Sequence, residues 1–280
     1  MTDAPRHASF SKNSDPLTVG AAATIADLAE LRDWLIAGQR DLELNDIASP
    51  GAIDGDDWEA QAEAIKDALT GHTGRFGIHG PFFALDITGA DPEITTVSQR
   101  RLLQGLDYAK LVGAGHMVVH SPFHPFIDTS NRSTFEGYVT AVCRGLEPIV
   151  ARAAEIGTTL VLENILDYTS RGVIAVAETF NTPHFRLSVD VGHAELQARR
   201  GGTSPKQFIN EVGPYLEHVH LQDNDGAYDR HWAVGDGELS WYGIMEAIAA
   251  LDHTPRLIIE TSAHDVRRSF DYFVARGLAR

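Results

Sequence analysis

The sequence predicts a single-domain α/β protein that folds as a (β/α)8 barrel of the TIM type. Three observations favour this fold: a length of 280 residues, a regular alternation of short apolar runs with longer amphipathic stretches, and no low-complexity tract or interdomain linker. A barrel of this kind uses about 250 residues as one unit. An open doubly wound sheet is the alternative, because it also alternates strands with helices.

Eight apolar runs predict the strands, and a predicted helix follows each run. The runs are rich in β-branched and aliphatic residues, whereas the helical stretches are longer and amphipathic. The predicted strands are 17–22, 41–44, 75–79, 116–120, 159–163, 186–190, 216–221 and 256–260. The predicted helices are 25–36, 58–69, 96–112, 135–156, 172–180, 205–212, 241–251 and 266–280. Such alternation implies that consecutive strands pair in parallel, and it places the barrel at 17–280.

Composition excludes several classes of protein. Lys and Arg number 23 against 39 acidic residues, and this net charge of −16 disfavours nucleic-acid binding, because its affinity comes mostly from basic side chains on phosphates. The single cysteine, Cys143, excludes a disulfide framework and a cysteine-rich zinc site. No apolar run approaches the roughly 18 residues of a membrane span. The polar segment 1–16 lacks a secretory core, so we expect a poorly ordered lead-in and a cytoplasmic protein.

Histidines and carboxylates follow one another at the ends of the predicted strands. In a barrel, the carboxyl ends of all strands surround one face, where active sites are built. Crowded carboxylates repel each other unless a positive charge neutralises them, so six such residues together indicate a divalent cation. Imidazole and carboxylate donors without thiolates suit Zn²⁺, Mn²⁺, Co²⁺ or Fe²⁺ better than Mg²⁺ or Ca²⁺. The residues, from the third strand to the eighth, are His79, His120, Glu163, Asp190, His220 and Glu260.

Three more residues are candidate ligands on the same face. His193 follows the sixth strand closely, and Asp229 and His231 lie two residues apart in the loop after the seventh. Side chains at such spacing point to one side of an extended segment. Two other histidines are expected to be structural: His116 begins its strand at the opposite face, and His218 lies one layer below His220.

Seven short segments together carry a family resemblance. They read Ile-His-Gly-Pro at 78–81, Val-His-Ser-Pro at 119–122, Leu-Glu-Asn at 162–164, Asp-Val-Gly-His at 190–193, His-Val-His-Leu-Gln-Asp-Asn at 218–224, Asp-Arg-His at 229–231 with Gly235 and Gly237, and Ile-Glu at 259–260. The sequence resembles the xylose-isomerase-like barrel superfamily, in the branch of sugar phosphate isomerases/epimerases and endonuclease-IV-type enzymes. The resemblance covers about residues 75–262.

The resemblance implies a set of metal ligands for each of the two branches. Isomerases and epimerases of the superfamily bind one metal through four positions that correspond to Glu163, Asp190, His220 and Glu260. The endonuclease branch binds two further metals. One is held by positions that correspond to His79, His120 and Glu163, and the other by those that correspond to His193, Asp229 and His231. All nine positions are present here, so we expect one to three ions per chain, with Zn²⁺ or Mn²⁺ favoured.

These features favour a metal-dependent isomerase or epimerase of a small sugar, sugar phosphate or polyol. The metal would stabilise an enediolate while Glu163 and Glu260 remove and return a proton. Arg230 is a candidate for binding a substrate oxyanion. His124, Trp241 and Phe82 are candidates for contacting the sugar. The alternatives are a multinuclear metal-dependent phosphoesterase of the endonuclease-IV type and a barrel that binds metal structurally while serving as a binding subunit. The oligomeric state stays open.

Overall fold

The computed structural model describes residues 17–49, 52–54, 57–89 and 91–280. The predicted lead-in, 1–16, lies outside the described residues. The strands are β1 Gly20–Ala23, β2 Leu42–Leu44, β3 Phe76–His79, β4 His116–His120, β5 Thr159–Glu163, β6 Phe185–Asp190, β7 Leu216–Leu221 and β8 Arg256–Ile259.

Ten α-helices alternate with these strands in the described part of the chain. They are α1 Leu28–Gly38, α2 Trp58–Ala68, α3 Pro92–Val112, α4 Pro125–Asp128, α5 Arg132–Ile156, α6 Arg171–Phe180, α7 Val191–Ala198, α8 Pro205–Val212, α9 Trp241–Ala249 and α10 Ala263–Ala275. Two short 3-10 helices lie at Ala52–Asp54 and Gly213–Tyr215. Within the described ranges, none of the helices combines the length and the apolar character that crossing a bilayer requires.

The eight strands close into one parallel barrel in chain order, with β1 hydrogen-bonded to both β2 and β8. This confirms the predicted barrel and rules out the open sheet, whose edge strands would lack a partner. Closure brings the carboxyl ends of all strands to one rim.

The apolar core lies between the barrel wall and the surrounding helices. Leu42 and Leu44 of β2, Val119 of β4 and Leu162 of β5 all belong to this core and are at most 2% exposed. Because side chains alternate across a strand, the residues between them face the barrel interior. In β2 that residue is Glu43, a buried carboxylate enclosed by the barrel.

The largest difference from the predicted elements is a helix where a loop was expected. Directly after β6 the chain turns into α7, and the prediction placed a loop there until residue 205. Asp190 caps this helix, because its Oδ1 accepts a hydrogen bond from the backbone N–H of His193 at 2.6 Å. The short helix α4 was likewise not predicted, and Pro125 begins it at the first helical position.

An extra residue in β7 sets the register of the last strands. Leu187 pairs with Leu216, but Ser188 pairs with His218, so Glu217 has no counterpart in β6. From that point onward the pairing is regular, and Asp190 stands opposite His220. A bulge of this kind changes which residues of a strand share a face with those of its neighbour.

Candidate functional site

The structure brings four donors to a common point above the barrel. Each residue of the group Glu163, Asp190, His220 and Glu260 offers one ligand atom, and these atoms lie within 4.8 Å of one another. His220 Nδ1 is 3.2 Å from Glu163 Oε1 and 3.3 Å from Glu260 Oε2. Such separations are those between neighbouring ligands of one cation.

The buried atoms of this group do not satisfy each other. Glu163 Oε2, Asp190 Oδ2 and His220 Nδ1 are inaccessible to solvent and have no hydrogen-bond partner among the described residues. Buried polar atoms without partners are costly, and most native proteins avoid them. Such atoms in a group of imidazole and carboxylate donors fit a divalent cation, and a group without sulfur donors suits Zn²⁺ or Mn²⁺.

Two further groups of possible ligands flank the first. His79 and His120 share Glu163 with it, and their Nε2 atoms lie 3.2 Å apart. On the other side, Asp229 lies between two histidines, with Oδ2 at 3.2 Å from His193 Nε2 and Oδ1 at 3.2 Å from His231 Nε2. All nine sequence-predicted ligand positions therefore converge on one rim; their binding of metal stays a prediction.

Three of these histidines are oriented by backbone carbonyl groups. Nδ1 of His79 lies 2.8 Å from the carbonyl of Gly80, Nδ1 of His193 lies 3.0 Å from that of Asn164, and Nδ1 of His231 lies 3.0 Å from that of Glu260. A carbonyl only accepts, so each Nδ1 carries a hydrogen, and the neutral form of each ring has its lone pair on Nε2. Metal-binding histidines are held in this way by the partner of their second nitrogen.

The backbone conformation that brings Asp229 and His231 together differs from the predicted one. The expected extended segment would place them on one side by alternation, but His231 has a left-handed backbone with φ of 48°. The turn is held instead by Asp223, whose N–H and carbonyl pair with Trp232 in an isolated antiparallel bridge.

The pKa shifts of the candidate ligands indicate that this rim favours positive charge. Burial raises the pKa of Asp190 to about 6, and the neighbouring carboxylates contribute. Burial lowers the pKa of His193, but Asp190 and Asp229 raise it well above its usual value. His231 responds to the same carboxylates, and its pKa rises to about 9 despite burial. Protons on these rings therefore supply the positive charge that a metal ion would replace.

The predicted substrate contacts have different outcomes. Phe82 is half-buried at the edge of the site, and its ring stacks on His120 with 4.1 Å between centroids. His124 is half-buried at the start of α4. Arg230 is bound to Asp225, with Nη2 3.0 Å from Oδ2, and lies over the ring of Tyr228. Its guanidinium is therefore already paired in this structure.

Trp241 is placed in the core, which corrects its prediction as a sugar contact. The side chain is 2% exposed and packs edge-on against Phe273. Its Nε1 donates a hydrogen bond of 2.8 Å to Asp223 Oδ2. A large ring whose polar atom has a buried partner is a structural anchor of the loop after β7.

Sequence reasoning missed two polar residues that contact the predicted ligands. Gln222 donates through Nε2 to Asp190 Oδ1 at 3.3 Å and to Asp229 Oδ1 at 3.0 Å, and so joins two ligand groups. Glu43 accepts a hydrogen bond of 2.9 Å from His220 Nε2. The sequence signal for Glu43 was its position as a lone carboxylate between two apolar leucines of β2.

The fold and site together define a (β/α)8 barrel whose rim converges on imidazole and carboxylate donors. The family described as xylose isomerase-like TIM barrel matches residues 40–275. The chain belongs to this family.

Three similar proteins illustrate the range of the family. The structure of the TTHB071 protein from Thermus thermophilus, soaked with ZnCl2, superposes with a TM-score of 0.74 at 27% identity over 94% of this chain and 100% of that one. The uncharacterized protein MJ1311 of Methanocaldococcus jannaschii is 21% identical over 196 residues, 65% of this chain and 63% of that protein. Fructoselysine 3-epimerase of Escherichia coli O157:H7 is 24% identical over 149 residues, 51% of each chain. The chain thus spans about half to two thirds of these curated relatives.

Proposed function

We propose that the protein is a divalent-metal-dependent isomerase or epimerase of a small sugar, sugar phosphate or polyol. The observation that carries the proposal is the four-donor group, in which two carboxylates, Glu163 and Glu260, lie within 3.3 Å of one nitrogen of His220. Membership of the xylose isomerase-like family and the similarity to fructoselysine 3-epimerase support it. A cytoplasmic location stays a prediction.

The two carboxylates supply the proton transfers. Glu163 is 1% exposed and Glu260 is 16% exposed, so both are shielded while Glu260 is the more accessible. One carboxylate removes the proton from the carbon beside a carbonyl, and the other delivers a proton to that carbon or its neighbour. A bound divalent cation would polarise the carbonyl and stabilise the negative charge that develops on its oxygen.

Side chains at the edge of the site are candidates for holding the carbon skeleton. Phe82 presents a half-buried aromatic ring beside His120, and aromatic faces pack well against sugar rings. His124, at the start of α4, is a further candidate. Arg230 could bind a substrate anion only by leaving Asp225.

A second candidate is a multinuclear phosphoesterase. The specific observation in its favour is the presence of two additional ligand groups, one of which shares Glu163 with the first. In such enzymes clustered cations activate a hydroxide and stabilise the leaving oxygen. The net charge of −16 disfavours a polyanionic duplex as substrate.

The deciding experiment combines metal content with isotope exchange. We expect metal analysis of the purified protein to give bound Zn²⁺ or Mn²⁺, and NMR in D2O to show deuterium entering a ketose or sugar phosphate from a panel. Glu260→Gln should abolish this exchange. The control Glu238→Gln changes an exposed carboxylate of the loop after β7, which pairs with Arg199, and should retain the exchange.

The alternative outcomes are equally specific. Release of p-nitrophenol from bis-p-nitrophenyl phosphate, with no exchange into any sugar, would favour the phosphoesterase. Full exchange by Glu260→Gln would show that the two-carboxylate mechanism is wrong.

A further inference from the structure

A second buried cluster lies directly beneath the four-donor group. Its centre is Glu43, which is 0% exposed in the middle of β2. His220 Nε2 lies 2.9 Å from Oε1, and His116 Nε2 lies 3.1 Å from Oε2. His218 Nε2 lies 3.0 Å from Oε2 as well, but without hydrogen-bond alignment. One carboxylate thus has three imidazoles around it.

The chemistry of these contacts decides where the hydrogen of His220 resides. An ionised carboxylate only accepts hydrogen bonds, so His220 must carry its hydrogen on Nε2. A neutral ring with Nε2–H keeps a lone pair on Nδ1. That Nδ1 is the atom that faces Glu163 and Glu260 in the four-donor group.

His220 is therefore held in the opposite sense to three other rim histidines. His79, His193 and His231 place Nδ1 against a backbone carbonyl and direct Nε2 into the site. His220 directs Nδ1 into the site, and a charged carboxylate replaces the neutral carbonyl as partner of its second nitrogen. A hydrogen bond to a charged group is about twice as strong as a neutral one, so it fixes the ring more firmly.

The surroundings of Glu43 are shaped to hold it in place. His116 occupies the second oxygen of Glu43, and the ring fits because residue 77 has no side chain: a Cβ at Gly77 would lie 1.9 Å from His116 Cε1. His218 is fixed in turn by Ser188, whose Oγ lies 2.8 Å from its Nδ1. The carboxylate cannot rotate away from His220 without breaking the contact to His116.

We propose that Glu43 is a positioning residue that holds His220 in the tautomer and orientation required for metal binding through Nδ1. His116 supports Glu43 in this role from the opposite side. This proposal rests on the metal site of the proposed function, but it concerns a residue outside the four-donor group.

The test compares Zn²⁺ binding by Glu43→Gln and the control Glu238→Gln. Glu43→Gln keeps the size of the side chain but removes the charge, and we expect zinc affinity to fall roughly 10- to 100-fold in a chelator competition. The number of ions bound at saturation should not change. Glu238→Gln makes the same change of charge at an exposed residue that pairs with Arg199, so its affinity should stay within about threefold of the wild type.

The wild-type protein provides a second measurement should Glu43→Gln not fold. In long-range ¹H–¹⁵N NMR of the zinc-loaded protein, we expect His220 to show a protonated Nε2 and a metal-bound Nδ1. Metal bound through Nε2 would overturn the proposal.

The remaining outcomes separate the two proposals. Equal zinc affinity of Glu43→Gln and wild type would overturn the role of Glu43 and leave the metal site intact. The loss of one whole ion in Glu43→Gln would overturn it too, by making Glu43 a ligand of an ion shared with His116 and His218. A wild-type protein that binds no metal would remove the metal site and the role of Glu43 together.

Discussion

Replacing Trp241 by phenylalanine tests whether this residue anchors the loop that carries Asp229 and His231. The indole donates to Asp223 Oδ2 at 2.8 Å. The same carboxylate is completely buried and also accepts from the backbone N–H of Gly235 at 2.8 Å and of Leu239 at 3.2 Å. Trp241→Phe removes one of these donors and leaves part of the surrounding space unfilled.

The expected cost follows from these contacts. A lost hydrogen bond to a buried charged group costs about 1.5–3 kcal/mol. A cavity of a few atoms adds about 1 kcal/mol. We therefore expect Trp241→Phe to lower the free energy of unfolding by roughly 2–4 kcal/mol, which corresponds to a fall in Tm of roughly 3–7 °C for a protein of this size.

Urea unfolding followed by circular dichroism measures this effect, provided that the slope against denaturant stays constant. Trp232→Phe is a matched control, because that indole is 38% exposed in the same loop, and its change should stay within about 0.5 kcal/mol. Unchanged stability of Trp241→Phe together with weaker substrate binding would refute this reasoning and restore Trp241 as a substrate contact.

Three further perturbations have defined outcomes. Zn²⁺ affinity should rise between pH 6 and pH 9, because His231 must lose a proton before its ring binds metal; burial lowers the pKa of this ring, but nearby carboxylates outweigh burial and raise the pKa to about 9. Calorimetry in two buffers should detect the released proton, and a pH-independent affinity would contradict the prediction. Burial raises the pKa of Asp167 to about 8, so the folded protein keeps a proton that the unfolded chain loses near pH 4, and the contribution of this group to stability should fall as pH rises from about 4 to about 8. Asp167→Asn should remove that part of the pH dependence in unfolding experiments, and parallel curves for variant and wild type would argue against the shift. Gly77→Ala should lower stability by about 1–3 kcal/mol, because its Cβ would lie 1.9 Å from an atom of the buried His116. Gly137→Ala in α5, whose Cβ meets open space, should be neutral or stabilising, and equal effects at both glycines would contradict the packing argument.

The barrel and the location of its rim could be predicted because both follow from chain order. Strand ends are visible as apolar runs that stop at a polar residue, and a closed parallel barrel gathers those ends without any knowledge of packing. His79, His120 and Glu163 could therefore be placed together from the sequence, and the structure confirms that they are neighbours.

Other features depend on contacts between distant residues, so the sequence did not reveal them. Glu43 is a single carboxylate in a three-residue strand, and its meaning appears only when residues 116 and 220 surround it. Trp241 begins a helix in the right loop, but its burial depends on Phe273 and Asp223. The helix α7 was missed because it starts without any connecting residue after β6.

The unpaired Glu217 is an extra residue that β7 accommodates in its bulge without disturbing the pairing on either side. Leu187 pairs with Leu216 and Ser188 with His218, so deleting Glu217 would leave a regular strand in which His218 and His220 keep the same partners. A residue gained or lost between His218 and His220 is different, because side chains alternate along a strand and one of the two rings would turn outward against the helices. Homologues can therefore vary in length at position 217 and keep the chemistry of the rim, whereas a change of length between these two histidines should abolish it.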